Sequence, residues 1–374
     1  MSLVVAGTGW VTPLGCGRDE VFDRLAAGES AAVEALPPSS DDRRAARHRQ
    51  APQWYVPVPD RLTAGTAKMP RIRRSSAITH LAMTAGLAAL EEAGLPLSPG
   101  GFPPEIAART AVVFAVCSGG VQYTRRLYEK IVHEGASGAS PLLFPETVYN
   151  APASHLAAAL GLDGISYTLV GDGSVGLAAL GFAEELLACH PELDQCVVVG
   201  SEESDWILWE GYATWRLCAK EPCVRLHRSP PAGMLLGEGA VALVVRRPEE
   251  SPGPRIATAA TSYARRRDAA SALGDLLASS AAPCDWVVGS ANGTWIDAVE
   301  AAALKRHLPG APTFYPKQAL GEALGAGSLQ QVALGLVALE KGIIGTPETG
   351  LPHKIAVTSL GLNQQAGVAW IGRG

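Results

Sequence analysis

Short continuous apolar runs alternate with alanine- and leucine-rich helical stretches along most of this chain. Leu3–Ala6 is an apolar run ended by Gly7 and Gly9, the pattern of a buried strand entering a turn. Asp19–Ala27 has helical spacing. Pro37–Arg74 is rich in Pro, Ser, Asp and Arg with few periodic apolar positions, and reads as a long surface excursion with room for disorder and for packing on a partner. Ser75–Ala93 returns to helix and stops at Gly94. Beyond it, Thr110–Val116, Tyr167–Val170 and Gln195–Val199 are strand-like, with a helical Leu177–Cys189 between the last two. The second half repeats the alternation. Val241–Val245, Trp286–Val288, Thr313–Tyr315 and Ile355–Val357 read as strands; Ala269–Ser279, Ala298–Arg306 and Ser328–Glu340 read as helices. Strands that are apolar throughout are buried on both faces, which predicts a layered α/β fold. The pattern divides into an N-terminal half, 1–245, which carries the excursion, and a C-terminal half, 246–374, and suggests an internal duplication.

Composition narrows the classes. The 374 residues are 47% hydrophobic and 18% charged, enough for a large core. The net charge of −5, with no basic stripe, excludes a nucleic-acid footprint. The start, Met1-Ser2-Leu3-Val4-Val5-Ala6-Gly7, lacks the basic and apolar regions of a signal peptide, and no apolar stretch reaches membrane-spanning length. The seven cysteines (16, 117, 189, 196, 218, 223 and 284) are odd in number and lack metal-ligand spacing. Buried free thiols in a reducing compartment are expected, and with them a cytoplasmic location and no metal or cofactor.

Six short elements then carry chemistry. Gly7-Thr8-Gly9-Trp10-Val11-Thr12-Pro13-Leu14-Gly15 resembles the G-x-G-x-x-(S/T)-P-x-G turn of the β-ketoacyl synthases, decarboxylating condensing enzymes of thiolase fold. Asp163-Gly164-Ile165-Ser166-Tyr167-Thr168 resembles their lead into the nucleophile strand. Gly233-Met234-Leu235-Leu236-Gly237-Glu238-Gly239-Ala240 is similar to G-x-x-x-G-E-G-A. Asn292-Gly293-Thr294, Asp297 and Glu300–Leu304 resemble H-G-T…D…E-A-x-A-(L/I), and Lys317, Gly321 and Leu324-Gly325-Ala326-Gly327 resemble K-S-x-x-G-H-x-x-G-A-A-G. Ser359-Leu360-Gly361-Leu362-Asn363 sits where the family has its S-F-G-F-G gating loop. The ordered set is specific, where one G-E-G would not be. The resemblance implies an α/β, thiolase-like fold, a duplicated five-layered α-β-α-β-α architecture.

That family's chemistry uses a cysteine thiolate at a helix N-terminus as acyl carrier. Two histidines hydrogen-bond the thioester carbonyl and stabilise the enolate. The stretch Tyr167-Thr168-Leu169-Val170-Gly171-Asp172-Gly173-Ser174-Val175-Gly176 lies where the family reads Y-T-x-x-T-A-C-A-S-G, so Gly173 stands for the cysteine. Asn292 stands for the first histidine and Glu322 for the second, a carboxylate where an enolate should develop. No catalytic residue is therefore expected, and condensation should be absent. Lys317, Glu238 and Asp297 are expected as scaffold residues.

Other side chains have competing readings. Ser174, one residue past the lost thiol, points about 100° away on a helix, and reads as an N-cap or packing serine. Asp172 suits the free N–H groups of the same helix. Cys117 has no local base and reads as a core thiol. His155 and His227 read as surface or packing residues. Trp206, Trp209, Tyr212 and Trp215 are spaced either as a core-facing helix face or as a wall against an acyl tunnel.

By resemblance, the chain is expected to be a ketosynthase-β or chain-length-factor-like subunit, a pseudoenzyme. It would pair with a catalytic ketosynthase and, through the complex, with acyl carrier protein, and would shape the acyl cavity in polyketide, polyene or fatty-acid-like biosynthesis. Such proteins usually carry glutamine at the cysteine position, where this chain has glycine. Ser118, Phe144, Trp206, Trp209, Tyr212 and Leu362 are the expected pocket residues. The alternative is a thiolase-fold enzyme performing acyl transfer or thioester hydrolysis through Ser174, Cys117 or Glu322. A sheet edge that needs covering predicts a dimer, a heterodimer with the ketosynthase or a homodimer.

Overall fold

The computed structural model describes residues 2–37, 52–95, 101–249, 252–279, 283–345 and 350–373. Ten strands form its frame: β1 (Leu3–Thr12), β2 (Thr110–Val116), β3 (Ser166–Val170), β4 (Gln195–Glu202), β5 (Gly239–Arg246), β6 (Arg255–Tyr263), β7 (Trp286–Val288), β8 (Thr313–Phe314), β9 (Lys354–Leu360) and β10 (Gln365–Gly372). The first five lie in the order β3-β2-β4-β5-β1 and the last five in the order β8-β7-β9-β10-β6. Both sets run parallel, parallel, antiparallel, antiparallel from the outer edge inward. The two lobes join where β1 meets β6 antiparallel at Leu3 and Ile256.

Among the described residues the longer helices are α1 (Arg18–Ala26), α2 (Ala77–Glu92), α3 (Val121–Glu134), α4 (Ala151–Leu160), α5 (Val175–Cys189), α6 (Trp206–Thr214), α7 (Ala269–Ala278), α8 (Ile296–His307) and α9 (Leu324–Lys341), and a single turn, Lys317–Leu320, carries Lys317. α5 and α9 pack on each other between the lobes, α5 touching β2, β4 and β6, and α9 touching β4, β5 and β9. α2 covers the outer face of the first lobe, and α7, with α8 against it, covers that of the second. The result is the layered α-β-α-β-α arrangement of the thiolase-like fold. Every residue of α9 from Leu324 to Leu339 is buried, as a helix covered on all sides requires. Its Gln331 amide donates to the carbonyls of Val288, Gly289 and Thr358 at the ends of β7 and β9. Among the described residues no helix is long and apolar enough to cross a membrane.

The structure departs from the sequence reading in three places. The first strand does not end at Gly7 and Gly9 but runs to Thr12. The glycines are there because α2 crosses the strand closely: a Cβ at Gly7 would collide with the Ala89 carbonyl, and one at Gly9 with the Ala85 carbonyl. The segment read as a surface excursion is partly folded in. Residues 38–51 lie outside the described residues, but Trp54–Val56 forms a small sheet with Glu34–Ala35 and Leu236–Gly237, and Val56, Val58 and Ile72 are buried. Strands β6 and β10 and helices α3 and α4 do not stand out as elements in the sequence pattern. β10 interleaves Ala366, Gly367 and Ala369 among its larger residues, because neighbours such as the Leu177 side chain press close, and small residues blunt the strand signal.

Gly9→Ala is therefore expected to force α2 off β1 and lose roughly 1–3 kcal/mol, the usual cost of overpacking. Gly65→Ala, where a Cβ meets open space, should stay within a few tenths of a kcal/mol of wild type. Denaturant unfolding of both variants checks this, and equal effects would remove the close-crossing explanation.

Candidate functional site

The two sandwiched helices begin side by side, and the candidate site lies where they start. β3 leads through Gly171–Ser174 into α5, and the Gly171 N–H returns to the Val116 carbonyl, which fixes the turn against β2. Gly173 lies outside the left-handed φ region, so backbone conformation does not demand glycine. Space is tight: a Cβ there would sit 3.0 Å from the Leu360 carbonyl oxygen, closer than ordinary packing, so the loop would have to give by a few tenths of an ångström to admit one. The Ser359 hydroxyl donates to the Gly173 carbonyl at 2.7 Å and accepts from the Ser174 hydroxyl at 3.1 Å. Ser174 occupies the N-cap position of α5, but its side chain caps nothing; it is a fully buried packing serine.

On the opposite side, the turn after β7 is held by two carboxylates in α8. Asp297, in the first turn where a negative charge suits the helix N-terminus, accepts from the backbone N–H groups of Asn292, Gly293 and His227. Glu300 accepts from the Ser290 and Ala291 amides and the Thr358 hydroxyl, and burial pushes its carboxyl up to about 6. The Asn292 side chain, so placed, accepts from the Thr294 hydroxyl and donates from Nδ2 to Glu322 Oε2 at 2.7 Å. Lys317 Nζ reaches the same carboxylate oxygen at 2.8 Å and the Ser290 hydroxyl at 3.3 Å. That hydroxyl also accepts from the Leu360 N–H. Lys317 and Glu322 are each 2% exposed, so this is a dry ion pair with an amide attached. The three positions marked by the motifs thus converge: Asn292 and Glu322 by direct contact, Gly173 through the loop at Leu360.

The charge balance around this point is negative. Asp172 is buried, and its carboxyl is pushed up to about 6 by burial against the pull of the Asn363 N–H; the charge of Glu322 adds to the rise and Lys317 opposes it. Glu202, at the end of β4, accepts from the Cys117, Ser118 and Gly325 amides and the Ser118 hydroxyl. Burial pushes it up to about 7, against those donors. Burial also raises the Cys117 thiol well above its ordinary value, and the Glu202 charge adds to the rise. Cys117 is thus a protonated core thiol beside the Tyr212 hydroxyl, the opposite of an activated nucleophile. Ser174 contacts a hydroxyl and the Gln365 carbonyl, neither of them a base for its proton. Among the described residues no three His, Cys, Asp or Glu side chains gather as a metal site.

The expected pocket residues divide. Cys117, Trp209, Tyr212 and Leu362 pack with Met234, Leu236 and Leu324 in one apolar cluster beside the site. Phe144 does not belong to it: it is 61% exposed, because its short 3-10 turn packs on the outside of α3. Trp206 is buried at the start of α6 but outside that cluster, and Trp215 is 78% exposed past the helix end. One face of α6 therefore supplies Trp209 and Tyr212, while the ring cluster as a whole is neither core nor wall. Ser118 is committed to Glu202. Asp172 caps no helix; its carboxylate takes the Asn363 N–H instead. Glu238 accepts from Ser204 and Val58 amides. His155 pairs with Glu146, and the His227 ring packs edge-on against Tyr315. The sequence reading gave no role to Glu202, although a carboxylate ending a continuous apolar strand is a legible sign of a buried acceptor.

A model of the β-ketoacyl synthase N-terminal domain matches residues 2–251. The 3-oxoacyl-[acyl-carrier-protein] synthase 2 of Coxiella burnetii (strain RSA 493 / Nine Mile phase I) is 24% identical over 257 residues, which cover 67% of this chain and 58% of that protein. The chain thus matches less than two thirds of its relative's length. Among solved structures, the ishigamide ketosynthase/chain length factor superposes with a TM-score of 0.82 at 18% identity, covering 100% of this chain and 99% of that one. A β-ketoacyl synthase from Burkholderia phymatum STM815 gives 0.81 at 18% identity, with the same coverage. A type II PKS acyl-carrier protein in complex with its ketosynthase bound to the hexaketide gives 0.79 at 17% identity, also over 100% and 99%. At these identities the structural likenesses establish the fold.

The buried pair makes its own prediction. Glu322→Leu strands the Lys317 ammonium and is expected to cost roughly 3–5 kcal/mol, whereas Lys317→Met with Glu322→Leu should recover most of that loss. Chemical denaturation of the two variants decides it; a double variant no better than the single would mean the pair is not the dominant interaction there.

Proposed function

Since the chain belongs to the β-ketoacyl synthase family, we propose that it is a non-condensing subunit of chain-length-factor type, which pairs with an active ketosynthase and shapes the cavity in which the acyl chain grows. The observation that carries this reading is the state of the three motif positions. Gly173 offers no side chain to acylate. Asn292 spends its amide on Glu322, and Glu322 is a carboxylate where decarboxylation would develop an anion. An oxyanion needs donors aimed at it in a dry site; here the nearest strong donor, Lys317, already serves Glu322. Among the described residues Ser174 and Cys117 have no base hydrogen-bonded to their side chains, and Glu322 is already paired with Lys317 and Asn292, which weighs against the rival reading of acyl transfer or hydrolysis through Ser174, Cys117 or Glu322.

Pairing has a physical motive of its own. β3 is the outermost strand of its lobe, and it exposes Tyr167 and Val170 by 48% and 55%. An apolar edge of that kind pairs with another chain or is covered. Tyr128 and Val132 on α3, with Leu142, Phe144, Val148 and Tyr149 in the following segment, add further exposed apolar surface of the kind that marks an interface. Phe144, outside the apolar cluster beside the site, is thereby a candidate to meet the partner. The carrier protein named with one structural relative makes an acyl-carrier substrate the natural cargo of the assembled pair.

Co-expression with a cysteine-bearing ketosynthase tests the proposal. The two chains are expected to copurify, and this chain alone should show no condensation and no acylation around Gly173 with labelled acyl carrier protein. Gly173→Cys alone should remain inactive, because Asn292 and Glu322 are unchanged and the new side chain meets the Leu360 carbonyl; near-normal turnover would refute the reading. In the pair, Trp209→Ala should lengthen the product without abolishing condensation. Each methylene it newly buries gains about 0.8 kcal/mol, a several-fold change in occupancy. Trp295→Ala, in the core of the second lobe, should lower stability and leave length unchanged.

A further inference from the structure

We infer that Asp172 is a latch that holds the loop Leu360–Gln364 down over the site, with Gly173 and Gly361 as the two glycines that let carboxylate and loop meet. The Asn363 N–H donates to Asp172 Oδ2 at 2.7 Å. The other oxygen, Oδ1, lies against Gly361, where any Cβ would collide with it, and has no hydrogen-bond partner among the described residues. Asp172 is 5% exposed. A buried carboxylate given its hydrogen bond by a loop amide favours the one loop position that supplies that amide, since leaving it unpaired is costly.

The loop is shaped to fit. The Gly361 N–H donates to the Gln365 carbonyl at 2.7 Å, the Gln364 N–H to the Gly361 carbonyl at 3.2 Å, and the Gln365 N–H to Asn363 Oδ1 at 3.2 Å. Gln364 is held at φ 75°, a conformation a glutamine keeps only where its surroundings enforce it. Both residues of the latch depart from the motifs to which their segments are similar: aspartate replaces alanine before the nucleophile position, and asparagine replaces the last glycine of the loop. Set down this way, the loop brings the Leu360 carbonyl to 3.0 Å from where a side chain at Gly173 would begin, and seats Leu362 in the apolar cluster with Met234 and Leu324. Entry to the space above Gly173 then requires the latch to open. This positioning role holds whether the chain works alone or beside a partner.

Amide hydrogen exchange on the full-length chain, purified with its partner if it needs one, tests the latch. Asp172→Ala should speed exchange at Leu362–Gln364 about tenfold, the equivalent of one lost hydrogen bond to a charged group. Exchange in β4 at Val197–Val199 should be unchanged, which separates loop release from unfolding. Asp172→Asn, which can still accept from Asn363, should give a smaller effect. Gly361→Ala reaches the same contact from the loop side and should free the same amides if the aspartate variant fails to fold. Full protection of Leu362–Gln364 in a folded Asp172→Ala or Gly361→Ala protein would overturn the inference.

Discussion

The structure depends on one constraint: α5 and α9 are buried between two sheet lobes, each covered by strands on both sides. A helix in that position has no solvent-facing stripe, so nearly every residue of α9 must be apolar, small or internally bonded. It also fixes where the helices begin. Their N-terminal ends emerge together beside the turn after β7, and three separate segments meet there in a dry environment. Gly173, Asn292 and Glu322 are neighbours because the helix starts are neighbours.

What those starts carry determines the chemistry. A site that stabilises a developing anion wants donors and positive potential; this one holds Asp172, Glu202 and Glu322 against the single ammonium of Lys317. Burial lifts the carboxyls of Asp172 and Glu202 toward neutrality, and it raises the Cys117 thiol as well. The same desolvation that would sharpen a working site here suppresses ionisation. In the Lys317–Glu322–Asn292 network both donors are spent on one carboxylate oxygen, Glu322 Oε2, which leaves few donors for a substrate anion, and its partners support the turn, the loop and the first residues of α9 at once. In the non-condensing role proposed above, such a site would serve as internal support.

The outer surfaces tell a complementary story. The lobe that ends in β3 shows an unpaired apolar edge and a set of exposed rings, while the corresponding edge of the other lobe, β8, exposes only partly buried residues. The asymmetry between two lobes of identical strand order is consistent with one of them being built to meet another chain.

Much of this was legible in the sequence. The ordered motifs fixed the family resemblance, continuous Val- and Leu-rich runs identified most strands, and reading each register from its flanking residues pointed to Gly173, Asn292 and Glu322, which the fold brings near one another. Those inferences rest on local pattern, and local pattern survives in the chain. The tertiary structure alone decided that Gly7 and Gly9 belong inside a strand, since the reason is a helix crossing it from residues 85–89. It alone made Asp172 a loop acceptor instead of a helix cap, moved Phe144 to the surface, and tied Glu322 to Lys317 and Asn292. For the two glycines, for Asp172 and for the Asn292–Glu322 contact the determining partner is distant in sequence, and the geometry of such a contact is written in the packing of layers, which no run of neighbouring letters records.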